Sequence, residues 1–275
     1  MVNNKNIDQI LFLIFVIVLL FFVLSRKNKN LERFQNHLKP VGGYSKVAIV
    51  SMVTKQPDFE FWLKYHMDFL KLDYIFLRVE DSPEYKPLIK KYGNRIIATY
   101  HNKKDIDMKH NYQTIMDRQK TNVNNGIQKA KELGVDFIFH TDADELIYVE
   151  PNGNIPRDIL LRQYLERVHQ DYSCIHFKNF EAMFKKNNSK CFNTNRFIDC
   201  KKGHCLSYAN GKSCGRVKDD IRFHGPHYFS GKVHNMPDTQ IAILHFDSCT
   251  YKQWVTKFDL LSFTTGLIKE ENTFL

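Results

Sequence analysis

Three acidic residues directly follow an apolar run near the middle of the chain. The run Phe137-Ile-Phe-His140 is typical of the end of a buried parallel strand, and Asp142, Asp144 and Glu145 come next. Because burying unpaired carboxylates is unfavourable, we expect these acids to lie at the open end of the strand and to face a cation. On an extended backbone the side chains of Asp142 and Asp144 share one face and can bind one ion. Hard oxygen ligands favour Mg²⁺ or Mn²⁺, so the spacing predicts a divalent-metal site, with an acidic surface turn as the alternative.

The elements around these acids alternate between strands and helices. The predicted strands span residues 46–53, 74–80, 95–100, 137–140, 173–177 and 241–245, and the predicted helices span 59–70, 112–133, 156–168 and a segment from about 251. This alternation predicts an α/β fold with a mostly parallel sheet and helices on both faces. Ligands of such sheets bind beyond the carboxyl ends of the strands, which is where the acids fall.

Composition limits the classes of protein to which the chain can belong. Its 275 residues, 43% of them hydrophobic, suffice for one soluble domain with a sizeable core. The formal charge of +10 favours acidic partners such as nucleotides or membrane surfaces, and the absence of a recognised nucleic-acid motif predicts no nucleic-acid partner. All six cysteines lie after residue 173 without a CxxC pair, which argues against a zinc ribbon and leaves disulfides and free thiols as open alternatives.

An uninterrupted apolar segment at residues 10–24 predicts an uncleaved signal anchor, because no small-residue cleavage site follows it. The predicted domains are a cytoplasmic tail and transmembrane helix at 1–25, a stem at 26–45 and a globular domain at 46–275. Basic residues directly after the apolar segment predict a cytoplasmic globular domain, whereas the cysteines and the sequon Asn187-Asn-Ser189 indicate the lumen. We expect a single-pass membrane protein of the Golgi or endoplasmic reticulum with a lumenal C-terminal domain, and the orientation stays open.

Five motifs, in order along the chain, resemble those of one group of enzymes. They are Trp62-Leu-Lys-Tyr-His66, Tyr74-Ile-Phe-Leu77, Glu80-Asp-Ser82, Asp136-Phe-Ile-Phe-His-Thr-Asp-Ala-Asp-Glu-Leu146 and His245-Phe-Asp-Ser248. Together they resemble the family 92 and family-2-like glycosyltransferases, which have a GT-A fold. The resemblance implies a Rossmann-like nucleotide-binding sheet.

The resemblance also implies a metal site and a donor site. Asp142 and Asp144 match the Asp-x-Asp motif that holds Mn²⁺ or Mg²⁺ against the diphosphate of a nucleotide sugar, and His245 matches the histidine that completes the metal shell. The residues implied to contact the nucleotide are Ser51, Val53, Glu80, Asp81, Arg118, Gln119 and Asp142. A UDP-sugar is the favoured donor, and a glycan or protein-linked hydroxyl group is the expected acceptor.

Transfer with inversion also requires a carboxylate that takes the proton of the acceptor hydroxyl. Glu181 is the first candidate, because it lies just beyond the predicted strand at 173–177, and Asp219 or Asp220 is the second. Lysine and arginine side chains between 212 and 222 are expected to add positive charge beside the diphosphate. Glu145 is expected to orient the metal loop by accepting backbone N–H bonds. For each of these acids a solvated or loop-capping role is the alternative.

The sequence thus predicts a membrane-anchored, metal-dependent glycosyltransferase. Nucleotidyl transfer is the second enzymatic alternative, because it also uses paired aspartates and a nucleotide-binding sheet. The non-enzymatic alternative is a degenerate transferase fold that acts as a carbohydrate-binding or scaffold protein. The presence of both aspartates and of His245 argues against degeneracy.

Overall fold

The strands and helices of the computed structural model form a mixed α/β fold. The structure describes residues 44–102, 111–183, 190–200, 207–218, 220–247 and 255. The strands are β1 (Val47–Val53), β2 (Tyr74–Glu80), β3 (Ile96–His101), β4 (Phe137–His140), β5 (Glu145–Val149), β6 (Cys174–Phe177), β7 (Asn179–Ala182), β8 (Phe197–Asp199), β9 (Lys212–Arg216), β10 (Val233–Asn235) and β11 (Ile241–His245). The helices are α1 (Phe59–Lys64), continued by a π-helical segment at Tyr65–Phe69, α2 (Lys86–Lys90), α3 (Asn111–Glu132) and α4 (Arg157–Arg167), with short 3-10 helices at Pro83–Tyr85 and Gly93–Arg95.

Seven strands form the central sheet, in the order β10-β6-β9-β4-β1-β2-β3. β1 pairs in parallel with β2 and β4, and β2 pairs in parallel with β3, which confirms the predicted α/β fold with a mostly parallel sheet. The exception is β9, which runs antiparallel to β4 and β6. Its Lys-Ser-Cys-Gly-Arg sequence has no run of large apolar residues, so the sequence pattern predicts no strand there.

A second sheet of four strands, in the order β5-β11-β7-β8, shares a hydrophobic core with the central sheet. Trp62 of α1, Ile147 of β5 and Ile243 of β11 are fully buried in that core. The indole Nε1 of Trp62 donates a hydrogen bond of 2.8 Å to the carbonyl oxygen of Glu145. This contact fixes the start of β5 against α1, and with it the acids that precede β5.

Helix α3 covers the opposite face of the central sheet, where alternate residues of β1 form a second core cluster. Gly126 of α3 faces Val50 of β1 so closely that an added Cβ would lie 2.8 Å from Val50 Cγ2. A side chain at this position would push the helix away from the sheet. The close contact also lets Asn122 donate a hydrogen bond of 2.9 Å to the carbonyl oxygen of Ser51, which holds α3 above the end of β1.

His66, in the π-helical segment, lies in the core with no exposed surface. Its Nδ1 lies 3.0 Å from the carbonyl oxygen of Trp62, and its Nε2 accepts the N–H of Ile147 at 3.5 Å. An imidazole that donates one hydrogen bond and accepts another is neutral. Burial accordingly lowers the pKa of His66 from 6.5 to about 3.

The buried, neutral His66 makes the stability of the protein depend on pH. Its folded-state pKa of about 3 lies below the ordinary value of 6.5, so between these values the unfolded chain binds more protons and the free energy of unfolding falls as the pH falls. The loss approaches about 1.4 kcal/mol per pH unit. Chemical denaturation should show a shallower pH slope for His66→Gln than for the native chain, with the exposed histidine variant His169→Gln as the control. Equal slopes for the native chain and His66→Gln would contradict this expectation.

The cysteines divide between the two alternatives that the sequence leaves open. Cys191 and Cys200 are each disulfide-bonded. Among the described residues, Cys174 and Cys214 are free and buried. Disulfides and free thiols therefore both occur in this chain.

No helix in the described part of the chain is long and apolar enough to cross a membrane, which contradicts the predicted single-pass membrane protein. That prediction depends on an apolar run shorter than the roughly 20 residues that a bilayer core requires. The run at 10–24, most of the predicted stem and the sequon at 187–189 lie outside the described residues, as does nearly all of the segment predicted as a helix from 251.

Candidate active site

The acids of the central motif lie on a turn that links β4 to β5. β4 ends at His140, and the N–H of Glu145 donates a hydrogen bond of 3.1 Å to the carbonyl oxygen of Asp142, which closes the turn. The Oε2 of Glu145 accepts the N–H of Asp142 at 2.8 Å, the contact expected of an acid that orients this loop. Because the backbone turns here, the rule that alternate side chains share one face does not apply to Asp142 and Asp144. The two aspartates therefore meet different partners.

Asp142 is bound by a buried lysine. Lys212, the first residue of β9, is 1% exposed, and its Nζ lies 2.5 Å from Asp142 Oδ2 and 3.5 Å from Glu145 Oε2. Burial disfavours the charged ammonium group, but the two carboxylates outweigh burial and raise the pKa of Lys212 above its ordinary value. Burial would likewise raise the pKa of Asp142, but Lys212 and His140 hold it well below its ordinary value. Both members of this ion pair are therefore charged.

Glu145 lies behind this ion pair with no exposed surface. The hydroxyl group of Tyr208 donates a hydrogen bond to its Oε1. Burial raises the pKa of Glu145, Lys212 opposes the shift and Asp142 adds to it, with a resulting value of about 7. Since both of its oxygens have protein partners, Glu145 shapes the turn and leaves the binding of a cation to other residues.

Asp144 meets His245 and Asp247 at the end of β11. One donor atom of each residue lies within 4.8 Å of those of the other two. The Nε2 of His245 lies 3.7 Å from Asp144 Oδ2, and the N–H of Phe246 donates to the carbonyl oxygen of Asp144 at 2.8 Å. Burial lowers the pKa of His245, but the carboxylate of Asp144 outweighs burial and raises the value to about 9. The end of β11 thus holds an acid and an imidazole in direct electrostatic contact.

Two buried atoms of this group, Oδ1 of Asp144 and Nδ1 of His245, have no hydrogen-bond partner within the part of the chain that the structure describes. Buried polar atoms are nearly always paired, so two unpaired atoms in one group indicate a place for a ligand. Two carboxylates and one imidazole are donors that suit a divalent cation such as Mn²⁺ or Mg²⁺. Asp144, His245 and Asp247 therefore fit a metal site. Asp142 is paired with Lys212.

The register of the second sheet places another acid beside His245. His245 of β11 pairs with Glu145 of β5 on one side and with Glu181 of β7 on the other. Directly paired residues point to the same face of a sheet, with their Cβ atoms about 5 Å apart. Glu181 is 6% exposed, and its Oε2 accepts the N–H of Ser207 at 3.4 Å. The first candidate for the base therefore lies in the same row as a candidate metal ligand.

An acid and two arginines meet at the end of β2. Oε1 of the buried Glu80 accepts hydrogen bonds from Nε of Arg78 at 2.6 Å and from Nε of Arg118 at 3.0 Å. Asp81 follows with a φ of 44° and forms an ion pair of 3.1 Å with Lys55. The structure thus brings Glu80 and Arg118 into contact, and Arg78 joins them.

Three other residues singled out from the sequence have different surroundings. Ser51 is fully buried, its carbonyl oxygen is bound by Asn122, and its Oγ has no hydrogen-bond partner among the described residues. The side chain of Val53 is packed in the core, so only its backbone is available for a ligand. Asp220 is exposed in a turn, where its carbonyl oxygen accepts a hydrogen bond of 3.4 Å from Ser230, and Asp219 lies outside the described residues.

Residues that the sequence analysis did not single out complete these clusters. Asp247 follows His245 at the same two-residue spacing as Asp142 and Asp144, and this spacing can indicate a candidate metal ligand. Tyr208 lies in a poorly patterned stretch, where no sequence pattern indicates a role. Lys212 belongs to the basic segment expected beside the diphosphate. Gln119, which the resemblance implies in nucleotide binding, donates a hydrogen bond of 3.4 Å to Asp142 Oδ1.

Comparison with known proteins gives relatives for about half of the chain. No protein-family model matches it. Two glycosyltransferase-like proteins of Arabidopsis thaliana are 29% identical over 173 residues and 28% identical over 160 residues, which is 54% and 50% of this chain. The chain spans only 37% and 30% of the length of these relatives.

Two solved structures overlap the fold weakly. The 4-diphosphocytidyl-2C-methyl-D-erythritol synthase of Anaerococcus prevotii is 10% identical. The superposition includes 81% of this chain and 96% of the synthase, with a TM-score of 0.35. The inositol-1-phosphate CTP transferase of T. maritima is 14% identical, and 82% of this chain covers 99% of it with a TM-score of 0.33. Overlap at this level carries no functional conclusion. By sequence, the chain is similar to glycosyltransferase-like proteins, and these relatives do not distinguish family 92 from other glycosyltransferase families.

Proposed function

We propose that this chain is a divalent-metal-dependent glycosyltransferase with a GT-A fold. It moves a sugar from a nucleotide sugar to a hydroxyl group of a glycan or protein-linked acceptor, in keeping with the family 92 and family-2-like resemblance of its motifs. The observation that carries the proposal is the group of Asp144, His245 and Asp247, whose donor atoms lie within 4.8 Å of one another. The group lies beyond the carboxyl end of β4, where α/β sheets bind ligands. Similarity to glycosyltransferase-like relatives supports the class of reaction.

The proposed cation site combines oxygen and nitrogen donors. Asp144 and Asp247 supply hard oxygen atoms and His245 supplies a nitrogen atom, a set that suits Mn²⁺ or Mg²⁺. With a pKa of about 9, His245 is protonated near neutral pH and must release its proton to bind a cation. When bound there, the ion stabilises negative charge on a diphosphate leaving group, a contribution of several kcal/mol.

Glu181 is the proposed base. Its pairing with His245 turns its carboxylate to the same face of the second sheet as the cation site. In an inverting transfer, Glu181 accepts the proton of the acceptor hydroxyl while that oxygen bonds to the anomeric carbon and the bond from this carbon to the diphosphate breaks. Asp220 is the second candidate for this role.

The proposed donor is a uridine nucleotide. The residues implied to contact the nucleotide include Glu80 and Arg118, which form an ion pair of 3.0 Å at the carboxyl end of β2, where α/β sheets bind ligands. The choice of uridine follows the resemblance of the motifs to GT-A glycosyltransferases.

A donor screen tests the proposal. We expect the purified protein with Mn²⁺ to turn over a UDP-sugar with a kcat/KM at least about 100-fold above that for a CDP- or GDP-sugar, because a site built for hydrogen bonds rejects a mismatched partner. Chelation should abolish turnover. In Arg118→Met the ratio of kcat/KM between the UDP-sugar and the other donors should fall. Lys120→Met, a change at an exposed position on the same helix, should leave this ratio unchanged.

Three results of this screen, extended to nucleoside triphosphates with sugar phosphates, would overturn the proposal in whole or in part. Release of pyrophosphate from a nucleoside triphosphate and a sugar phosphate would identify nucleotidyl transfer. Binding of nucleotide sugars without turnover would identify a carbohydrate-binding or scaffold protein. Equal turnover of all donors would remove the assignment of uridine and leave the reaction class in place.

A further inference from the structure

The two aspartates of the central motif have different surroundings, and this difference points to different tasks. We propose that Lys212 is a resident counter-charge that holds Asp142 out of the cation site. Asp142 is then a positioning residue, and the cation binds to Asp144, His245 and Asp247. This inference rests on the divalent-cation site of the proposed function and specifies which residues form it.

Lys212 reaches Asp142 because of the direction in which β9 crosses the sheet. β9 is antiparallel to β4 and β6, so its first residue lies at the edge of the sheet where those two strands end. Phe177, the last residue of β6, pairs directly with Lys212. A strand parallel to β4 and β6 would instead carry its first residue to the opposite edge. The antiparallel strand therefore delivers a lysine to the carboxyl end of the sheet.

Both carboxylate oxygens of Asp142 have partners, unlike those of Asp144. Oδ2 of Asp142 lies 2.5 Å from Lys212 Nζ, and Oδ1 accepts a hydrogen bond of 3.4 Å from Gln119. Oδ1 of Asp144 is buried and has no hydrogen-bond partner anywhere in the described ranges. A cation that bound Asp142 Oδ2 would have to displace an ammonium group enclosed by protein, whereas a cation at Asp144 Oδ1 displaces no protein group. Asp144 is therefore the aspartate that ligates the cation.

The same ammonium group also fixes the shape of the turn. Oε2 of Glu145 accepts the N–H of Asp142 and lies 3.5 Å from Lys212 Nζ, so one lysine contacts the acids at both ends of the turn. Asp144 lies between those ends, and its carboxylate faces His245 at 3.7 Å. Lys212 thus sets the position of Asp144 without contacting the cation.

Manganese affinity, measured by electron paramagnetic resonance of free Mn²⁺, separates the two roles. Asp144→Asn should weaken binding by about 100-fold or more, because a ligand is lost. Asp142→Asn removes the nearer of the two carboxylates that pair with Lys212, so more of the lysine's positive charge acts on the site and binding should weaken by about tenfold. The double variant Asp142→Asn/Lys212→Met removes that charge and should return the affinity to within about threefold of the native value. Lys212→Met should not rescue Asp144→Asn.

The possible results distinguish this inference from the function on which it rests. A double variant that binds Mn²⁺ as weakly as Asp144→Asn would overturn the inference, because removal of a lysine cannot replace a lost ligand. A native chain that binds no Mn²⁺ would instead overturn the metal-dependent function. Thermal unfolding of each variant checks that it is folded, and the double variant should melt above Lys212→Met, which removes the positive charge that compensates the carboxylates of Asp142 and Glu145. If Lys212→Met alone does not fold, Asp142→Asn and the double variant still decide between the two outcomes.

Discussion

Asp144→Asn is expected to lower the manganese-dependent turnover of a nucleotide sugar by about a thousandfold, because it keeps the size of the side chain and removes the negative charge that a divalent cation requires. A bound cation contributes several kcal/mol to the stabilisation of a leaving diphosphate, and about 4 kcal/mol corresponds to about a thousandfold in rate. Asp144 also provides a buried oxygen that lacks a hydrogen-bond partner within the described residues. Turnover and Mn²⁺ affinity, measured on the same preparation, should therefore fall together.

An exposed aspartate provides the matched control for this variant. Asp171 lies 3.3 Å from His169 in a turn after α4, and its side chain is 62% exposed. Asp171→Asn removes the same charge from the chain, so Mn²⁺ affinity and turnover should stay within about twofold of the native values. Native turnover in Asp144→Asn would refute the metal mechanism. An equal loss in both variants would show that the net charge of the chain, and not this site, is responsible.

The interior strands could be predicted because their sequences are apolar on both faces. β2 and β11 have the bounds that the sequence predicts, Tyr74–Glu80 and Ile241–His245, and β1 begins one residue later, at Val47. A strand buried on both faces needs apolar side chains in both alternating sets, so it shows as a continuous apolar run. Where acids follow such a run, they mark the edge of the sheet at which ligands bind. The approximate place of the candidate site can therefore be predicted from the sequence.

The strand β9 could not be predicted, because what stabilises it is remote in sequence. A lysine at the start of a short polar segment is normally an exposed residue. Lys212 is buried because it meets Asp142, which lies 70 residues earlier in the chain, and Glu145. The second sheet could not be predicted for the same reason, because β5, β7 and β11 come from distant segments and pair only in the folded protein. No local pattern contains this information.

Which residues form the candidate cation site depends on the conformation of the backbone, which the spacing of residues along the sequence does not reveal. On an extended strand Asp142 and Asp144 would share one face, but β4 ends at His140, and in the following turn Asp142 pairs with Lys212 while Asp144 faces His245. At the end of β11, the same two-residue spacing brings His245 and Asp247 into one group. A two-residue spacing therefore does not by itself determine which side chains have donor atoms in one group, because the conformation of the backbone decides it.

Glu181→Gln is expected to lower kcat by about a hundredfold to ten-thousandfold, the range that general-base catalysis contributes. Glu181 pairs with His245 across β7 and β11, so its side chain extends from the same face of the second sheet as the side chain of His245. Glutamine keeps the shape of the side chain and an oxygen that can accept the N–H of Ser207, which lies at 3.4 Å, but it cannot take up a proton. The KM for the donor and the Mn²⁺ affinity should therefore change by less than about threefold while kcat falls.

Two further variants separate a base from an acid with a structural role. Glu181→Asp keeps a carboxylate on a shorter side chain, so it should recover part of the rate that Glu181→Gln loses. Asp220→Asn tests the second candidate: a large loss of kcat there, with an active Glu181→Gln, would assign the base to Asp220. Equal losses of kcat and of melting temperature in Glu181→Gln and Glu181→Asp would show that Glu181 supports the fold. If Glu181 is the base, kcat falls when its carboxylate is removed and recovers in part when a shorter side chain supplies a carboxylate. If Glu181 has a structural role, kcat does not recover in this way.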